Sequence, residues 1–148
     1  MPSLGRPPSP RAAPSRLRRD SSLLLVVDVQ ERLAPHVLGH EALVARTAAL
    51  LDGAGRYGIP CFATEHLPER IGPTIASLRP RFDPAAICAK TRFGAHDHPA
   101  FAASLAATGR TQAVLCGMET HVCVLQTALG LAAAGYEVFV VGDATGSS

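Results

Sequence analysis

SLLLVVDVQ, residues 22–30, is a continuous apolar run rich in leucine and valine that closes on an acidic residue, Asp28. A strand with one solvated face alternates apolar and polar side chains. An unbroken apolar run of this length instead reads as a strand buried on both faces, as in a parallel sheet with helices above and below. The rest of the chain agrees with that reading. Residues 41–57 repeat apolar side chains at Leu43, Leu50, Leu51 and Ala54, the helical period, and Gly58 ends the pattern. IPCFAT (59–64) predicts a second strand, followed by a polar loop over 65–73 and a short helix over 74–78. AICAK (86–90) predicts a third strand. Asp97-His98-Pro99 opens a helix, with proline at its first position and Asp97 or His98 as cap. Residues 111–117 and 136–141 predict the fourth and fifth strands. This alternation points to the α/β class: a three-layer sandwich around a mainly parallel, Rossmann-like sheet.

A chain of 148 residues suits one domain. Residues 1–19 contain no acidic residue and are rich in Pro, Arg and Ser, so residues 1–21 are expected to be a disordered extension and 22–148 the folded domain. The formal charge of +2 is misleading, because five of the fourteen basic residues precede Asp20. The remainder is mildly acidic, which argues against a nucleic-acid partner. No apolar run reaches the roughly 18 residues of a membrane span, which argues against a membrane partner. Four scattered cysteines with no CxxC pair read as reduced thiols in a reducing compartment, taken as the cytoplasm.

GMETHVC, residues 117–123, follows the fourth strand and precedes a helical pattern that stops at Gly135. It reads as a strand-to-helix turn, with Cys123 in the first turn of the helix. Free backbone N–H groups and the positive end of the helix dipole gather there, an environment expected to favour a thiolate and to hold an oxyanion. The alternative is a small buried cysteine. Ligands bind parallel sheets at the carboxyl ends of the strands. Asp28 ends the first strand, Lys90 ends the third and Cys123 follows the fourth. Lys90 is also the only lysine beside thirteen arginines, which suggests a position where arginine will not serve. Three distant elements thus bring an acid/base, a cation and a nucleophile to one rim. The carboxylate can take the thiol proton and the ammonium favours the resulting thiolate, which attacks a carbonyl. The backbone N–H groups of Glu119 and Cys123 are the expected oxyanion donors. Gln30 either lines the pocket or bonds local backbone, and Phe93 either walls the pocket or packs in the core. Arg92 either recognises a substrate anion or forms a surface ion pair. The Glu119 side chain either contacts substrate or caps the helix.

The motifs LLLVVDVQ (23–30), AKTRFGA (89–95) and GMETHVCV (117–124), in this order and spacing, resemble the isochorismatase-like cysteine hydrolases. TEHLPERIGPTIASL (64–78) further resembles the metal-free, isochorismatase domain-containing branch. The resemblance places that family's Asp-Lys-Cys triad on Asp28, Lys90 and Cys123. It implies a six-stranded, mainly parallel sheet, a cis peptide at Met118–Glu119 and a homo-oligomer. It also implies hydrolysis of a small amide or related C–N bond through a thioester. The Asp-x-His metal motif of nicotinamide-cleaving members is absent from residues 64–68, so neither metal nor cofactor is expected. The chain ends at Ser148, before the last helix and edge strand that the family usually adds. This motivates an alternative, a truncated or partner-dependent member that serves as an interaction module.

Overall fold

The computed structural model describes residues 16–148. Five strands form one sheet: β1 (Ser22–Val27), β2 (Cys61–His66), β3 (Ile87–Lys90), β4 (Gln112–Met118) and β5 (Glu137–Gly146). Their spatial order is β3-β2-β1-β4-β5, and every pairing is parallel. The helices are α1 (His40–Arg56), α2 (Pro68–Ile71), α3 (Pro99–Ala106) and α4 (Leu125–Ala133). The α/β architecture expected from the 22–30 run is present, with five strands among the described residues.

β1 lies at the centre, and all six of its residues are buried. Its alternation explains the unbroken apolar run. Leu24 and Val26 pack on one face with Leu43, Leu51 and Ala54 of α1. Leu23, Leu25 and Val27 pack on the other with Phe101 and Leu105 of α3 and Leu131 of α4. Each leucine buried in this way contributes about 1.5–3 kcal/mol relative to exposure, so a polar residue on either face of β1 is disfavoured.

β1 is also where the strand order turns. β2 lies on one side of it and β4 on the other. In open α/β sheets the crevice at this switch, outside the carboxyl ends, is where ligands bind. Asp28 leaves β1 there, with a left-handed φ of 51° that aspartate tolerates better than most residues.

Three local expectations are corrected. β2 runs two residues past Thr64, because Glu65 and His66 pair with Ala89 and Lys90 of β3. The short helix lies at Pro68–Ile71 and not over 74–78, with Pro68 in its first turn. Thr74 instead forms an isolated antiparallel bridge with Gln30. β5 continues to Gly146, since the register with β4 shifts between Leu115 and Gly117 and pairing then resumes. The predicted cap of α3 is present: the His98 side chain accepts from the Phe101 N–H at 3.4 Å, with Pro99 at the first position.

Residues 1–15 of the expected extension lie outside the described residues. Residues 16–21 are held on the bottom of the sheet. Arg18 donates its N–H to Gln112 Oε1 at 2.9 Å, and Gln112 Nε2 donates to the Arg16 carbonyl at 3.0 Å.

Candidate active site

Asp28, Lys90 and Cys123 meet at the carboxyl edge of the sheet. Lys90 Nζ lies 2.8 Å from Asp28 Oδ2, and both side chains are buried, 1% and 0% exposed. The same ammonium reaches Cys123 Sγ at 3.6 Å and the Arg92 carbonyl at 3.1 Å. Lys90 leaves β3, two strands from β1 and about 10 Å away at ordinary strand spacing. Only a long side chain spans that gap, which gives the lone lysine a geometric reason. The planar guanidinium of an arginine would meet these neighbours with a different, fixed donor fan.

Asp28 is fixed from β2. Thr64 Oγ donates to Asp28 Oδ1 at 2.7 Å, and the Asp28 N–H is directed at Thr64 O and Oγ at 3.1 and 3.2 Å. The other carboxylate oxygen, Oδ2, faces the Lys90 ammonium.

The expected thiolate at rest is corrected. Cys123 is 7% exposed, and its thiol is pushed up to about 12. Burial is the largest cause, the Asp28 carboxylate adds to it, and Lys90 opposes both without offsetting them. Nor does Cys123 sit in the first turn of an α-helix. It lies in a π-helical turn, Thr120–Val124, ahead of α4. Such turns recur at functional sites. Alkylation of Cys123 by iodoacetamide, mapped by mass spectrometry, is therefore expected to be slow at neutral pH. It should rise about tenfold per pH unit without a plateau below about pH 9. The folded thiol lies above the unfolded value of about 8.5. Its contribution is full below that value and is lost as pH climbs towards 12. A plateau near neutral pH would contradict this account.

The residue the sequence did not reveal is His66. Its Nδ1 lies 3.3 Å from Lys90 Nζ, and its ring stacks on Phe93 with centroids 5.4 Å apart. Burial and the Lys90 charge both lower its basicity, so the ring is held neutral and accepts from the ammonium. Asp28, His66 and Cys123 place one ligand-type atom each within 4.8 Å of one another. The signal that could have found His66 was its register: one position beyond Glu65, level with Lys90 on the next strand.

The remaining expected residues are placed as follows. Gln30 is fully buried. Its Oε1 accepts from the His66 N–H at 2.8 Å, and its Nε2 donates to the carbonyls of His66 and Gly72 at 2.9 and 2.8 Å. Of its two readings, the structure gives it the backbone partners. Phe93 is half exposed on the rim against His66, and so is not in the core. The Glu119 side chain makes no cap bond to the turn. Its carboxylate accepts from Ser148 Oγ at 3.2 Å. The peptide Met118–Glu119 is cis. A cleft of about 370 Å³ runs from Lys90 past Thr91, Arg92, Asp97 and His98. A second buried carboxylate, Glu65, accepts from Arg79 Nη1 at 2.8 Å and from the Thr74 N–H at 2.5 Å, tying the 73–79 segment to β2.

Residues 22–148 match the family model described as the isochorismatase domain. Isochorismatase domain-containing protein 2A of Mus musculus is 36% identical over 143 residues, covering 93% of this chain and 65% of the relative. The chain thus spans just under two thirds of that relative's length. Two solved structures share the fold closely. The MAR1 ribonuclease of Caenorhabditis elegans is 32% identical with a TM-score of 0.83, over 90% of this chain and 68% of that one. The YcaC gene product of Escherichia coli, an octameric hydrolase of unknown specificity, is 31% identical with a TM-score of 0.84, over 89% and 67%.

Proposed function

This chain belongs to the isochorismatase domain family, and from that membership and the geometry of its site we propose that it is a cysteine-dependent hydrolase of a small amide or related C–N bond. The observation that carries the reading is the buried contact of one ammonium with both Asp28 and Cys123, at 2.8 and 3.6 Å.

The thiol is protonated at rest, so attack and deprotonation are coupled. As Cys123 Sγ adds to the amide carbonyl, its proton passes to the Asp28 carboxylate, and the Lys90 ammonium stabilises the developing thiolate. The carbonyl oxygen becomes an oxyanion held by the backbone N–H groups of Glu119 and Cys123. Protonated Asp28 then gives its proton to the leaving amine, and a thioester remains. Water attacks the thioester with Asp28 as base, releasing a carboxylic acid and restoring the thiol. Phe93 and Arg92 line the approach, while Gln30 holds the segment that carries His66. Substrate enters from the cleft beside Lys90. We further propose a homo-oligomer, supported by the octameric E. coli relative. Among the described residues no helix is long and apolar enough to cross a membrane.

The test is a panel of small amides assayed for ammonia or amine release, with Cys123→Ala beside the parent protein and circular dichroism as the control for folding. The substitution is expected to lower turnover about 10³-fold or more with the fold intact. An acyl adduct on Cys123 should be trapped by rapid acid quench and mass spectrometry. Turnover that survives Cys123→Ala would overturn the mechanism. An RNA oligonucleotide belongs in the panel because of the C. elegans relative. RNA cleavage without amide turnover would replace the substrate class. A folded protein inert on every substrate would favour the interaction-module reading.

A further inference from the structure

Lys90 Nζ has four neighbours and three protons to give. They are Asp28 Oδ2 at 2.8 Å, the Arg92 carbonyl at 3.1 Å, His66 Nδ1 at 3.3 Å and Cys123 Sγ at 3.6 Å. Three of these are an oxygen, a nitrogen and a sulfur of the types that bind zinc, and they lie within 4.8 Å of one another. The ammonium therefore sits where a metal ion would sit, as a cation tethered to β3. We propose that Asp28, His66 and Cys123 form a zinc-binding site that the Lys90 ammonium blocks at rest, and that a soft divalent cation competes with that ammonium for it.

Several observations favour this exchange. A carboxylate, an imidazole and a thiolate with an open fourth position is a ligand set zinc accepts. Zinc bonds of about 2.0–2.3 Å are shorter than the present contacts, so the donors must close in by roughly 1 Å. His66 stacks on the half-exposed Phe93 ring at the rim, and Cys123 lies in a π turn ahead of α4. The His66 ring turns Nδ1 towards the centre of the group, 3.3 Å from Lys90 Nζ. The displaced ammonium has somewhere to go, because the cleft past Thr91 and Arg92 opens beside it. The balance is simple: a Zn–S bond replaces the S–H bond, the proton leaves to solvent, and Lys90 keeps its charge and swings outward. Zinc bound in this way ties up Cys123 and switches off whatever chemistry the thiol performs. The binding does not depend on which reaction that is.

The test is titration of the untagged full chain with Co²⁺ followed by absorption, and with Zn²⁺ followed by calorimetry. One ion per chain is expected, with a sulfur-to-cobalt charge-transfer band that is absent in Cys123→Ser. His66→Ala should weaken binding about tenfold or more, since a neutral donor is lost. Lys90→Met should tighten it by at least about tenfold, because the competing cation is gone. Zinc should also protect Cys123 from iodoacetamide, and EDTA should reverse that protection. If Lys90→Met does not fold without metal, the parent spectrum and the His66→Ala and Cys123→Ser variants decide. Absence of the charge-transfer band in excess Co²⁺, a band unchanged in Cys123→Ser, or a folded Lys90→Met that binds no tighter would each overturn the proposal. Because these readouts are not activity, they stand or fall separately from the amide reading.

Discussion

Replacing Lys90 with methionine is expected to lower the stability of this protein by about 3–5 kcal/mol, the range for removing one partner of a buried ion pair. Methionine retains most of the apolar stem, so packing changes little. The Asp28 carboxylate, fully buried, then loses its ion-pair partner at 2.8 Å and keeps only the bonds from β2. A buried charge without a countercharge is among the few sources of losses this large. Total stabilities of domains lie at about 5–15 kcal/mol, so the variant should be close to unfolding. Urea titration is the measurement, read as a shift in midpoint at unchanged slope. The double variant Asp28→Asn/Lys90→Met is the informative partner. It leaves no charge behind and should recover much of the loss. A single-variant loss below about 1 kcal/mol, or no recovery in the double, would mean that the pair is not buried as the structure has it. Catalysis should fail in both, because each lacks the cation beside Cys123. Zinc that fills the vacated centre should raise the midpoint of the single variant, as a ligand of the folded state does.

The same pair shows what a sequence discloses and what it does not. Asp28 was legible because a strand buried on both faces can carry a charge only where it leaves the core, and the 22–30 run ends on one. Lys90 was legible as the exception in an arginine-rich composition, and Cys123 as the residue after a glycine-led turn. Strand order then required the three to share an edge. His66 was hidden because Glu65 and His66 read as the start of a polar loop. Only pairing with β3 keeps them in a strand, and pairing is not a local property. Glu65 is polar and buried because Thr74 and Arg79 fold back over it, a contact made by a later segment. The state of the Cys123 thiol was misjudged for a related reason. The helix-terminus argument sees the local backbone, whereas the acidity is governed by burial and by a carboxylate 95 positions earlier in the chain. The bulge that carries β5 on to Gly146 likewise depends on its neighbour and not on its own polar sequence.

Gly117→Ala is expected to be the most damaging single-methyl change in the site, with a loss of more than about 4 kcal/mol or no folded protein at all. Gly117 pairs with Val27 across the central β1–β4 ladder and has a φ of 123°. A Cβ there would collide with the Val27 carbonyl oxygen and lie 2.7 Å from its nitrogen. Neither atom can yield, because both belong to the backbone of the innermost strand. Gly135→Ala separates the two causes. Gly135 also has a positive φ, 97°, but nothing lies within 4 Å of its would-be Cβ. It should lose only the roughly 1–2 kcal/mol of left-handed backbone strain. The difference between the variants in urea titration measures the steric part. If Gly117→Ala proves no worse than Gly135→Ala, β4 does not approach β1 as closely as the structure has it. The consequence for chemistry follows from position. Val27 immediately precedes Asp28, and Gly117 opens the turn that carries Cys123. Any outward shift of β4 that relieves the collision also draws the thiol away from the carboxylate and ammonium. A Gly117→Ala protein that still folds should therefore lose its Cys123-dependent turnover, while Gly135→Ala retains it.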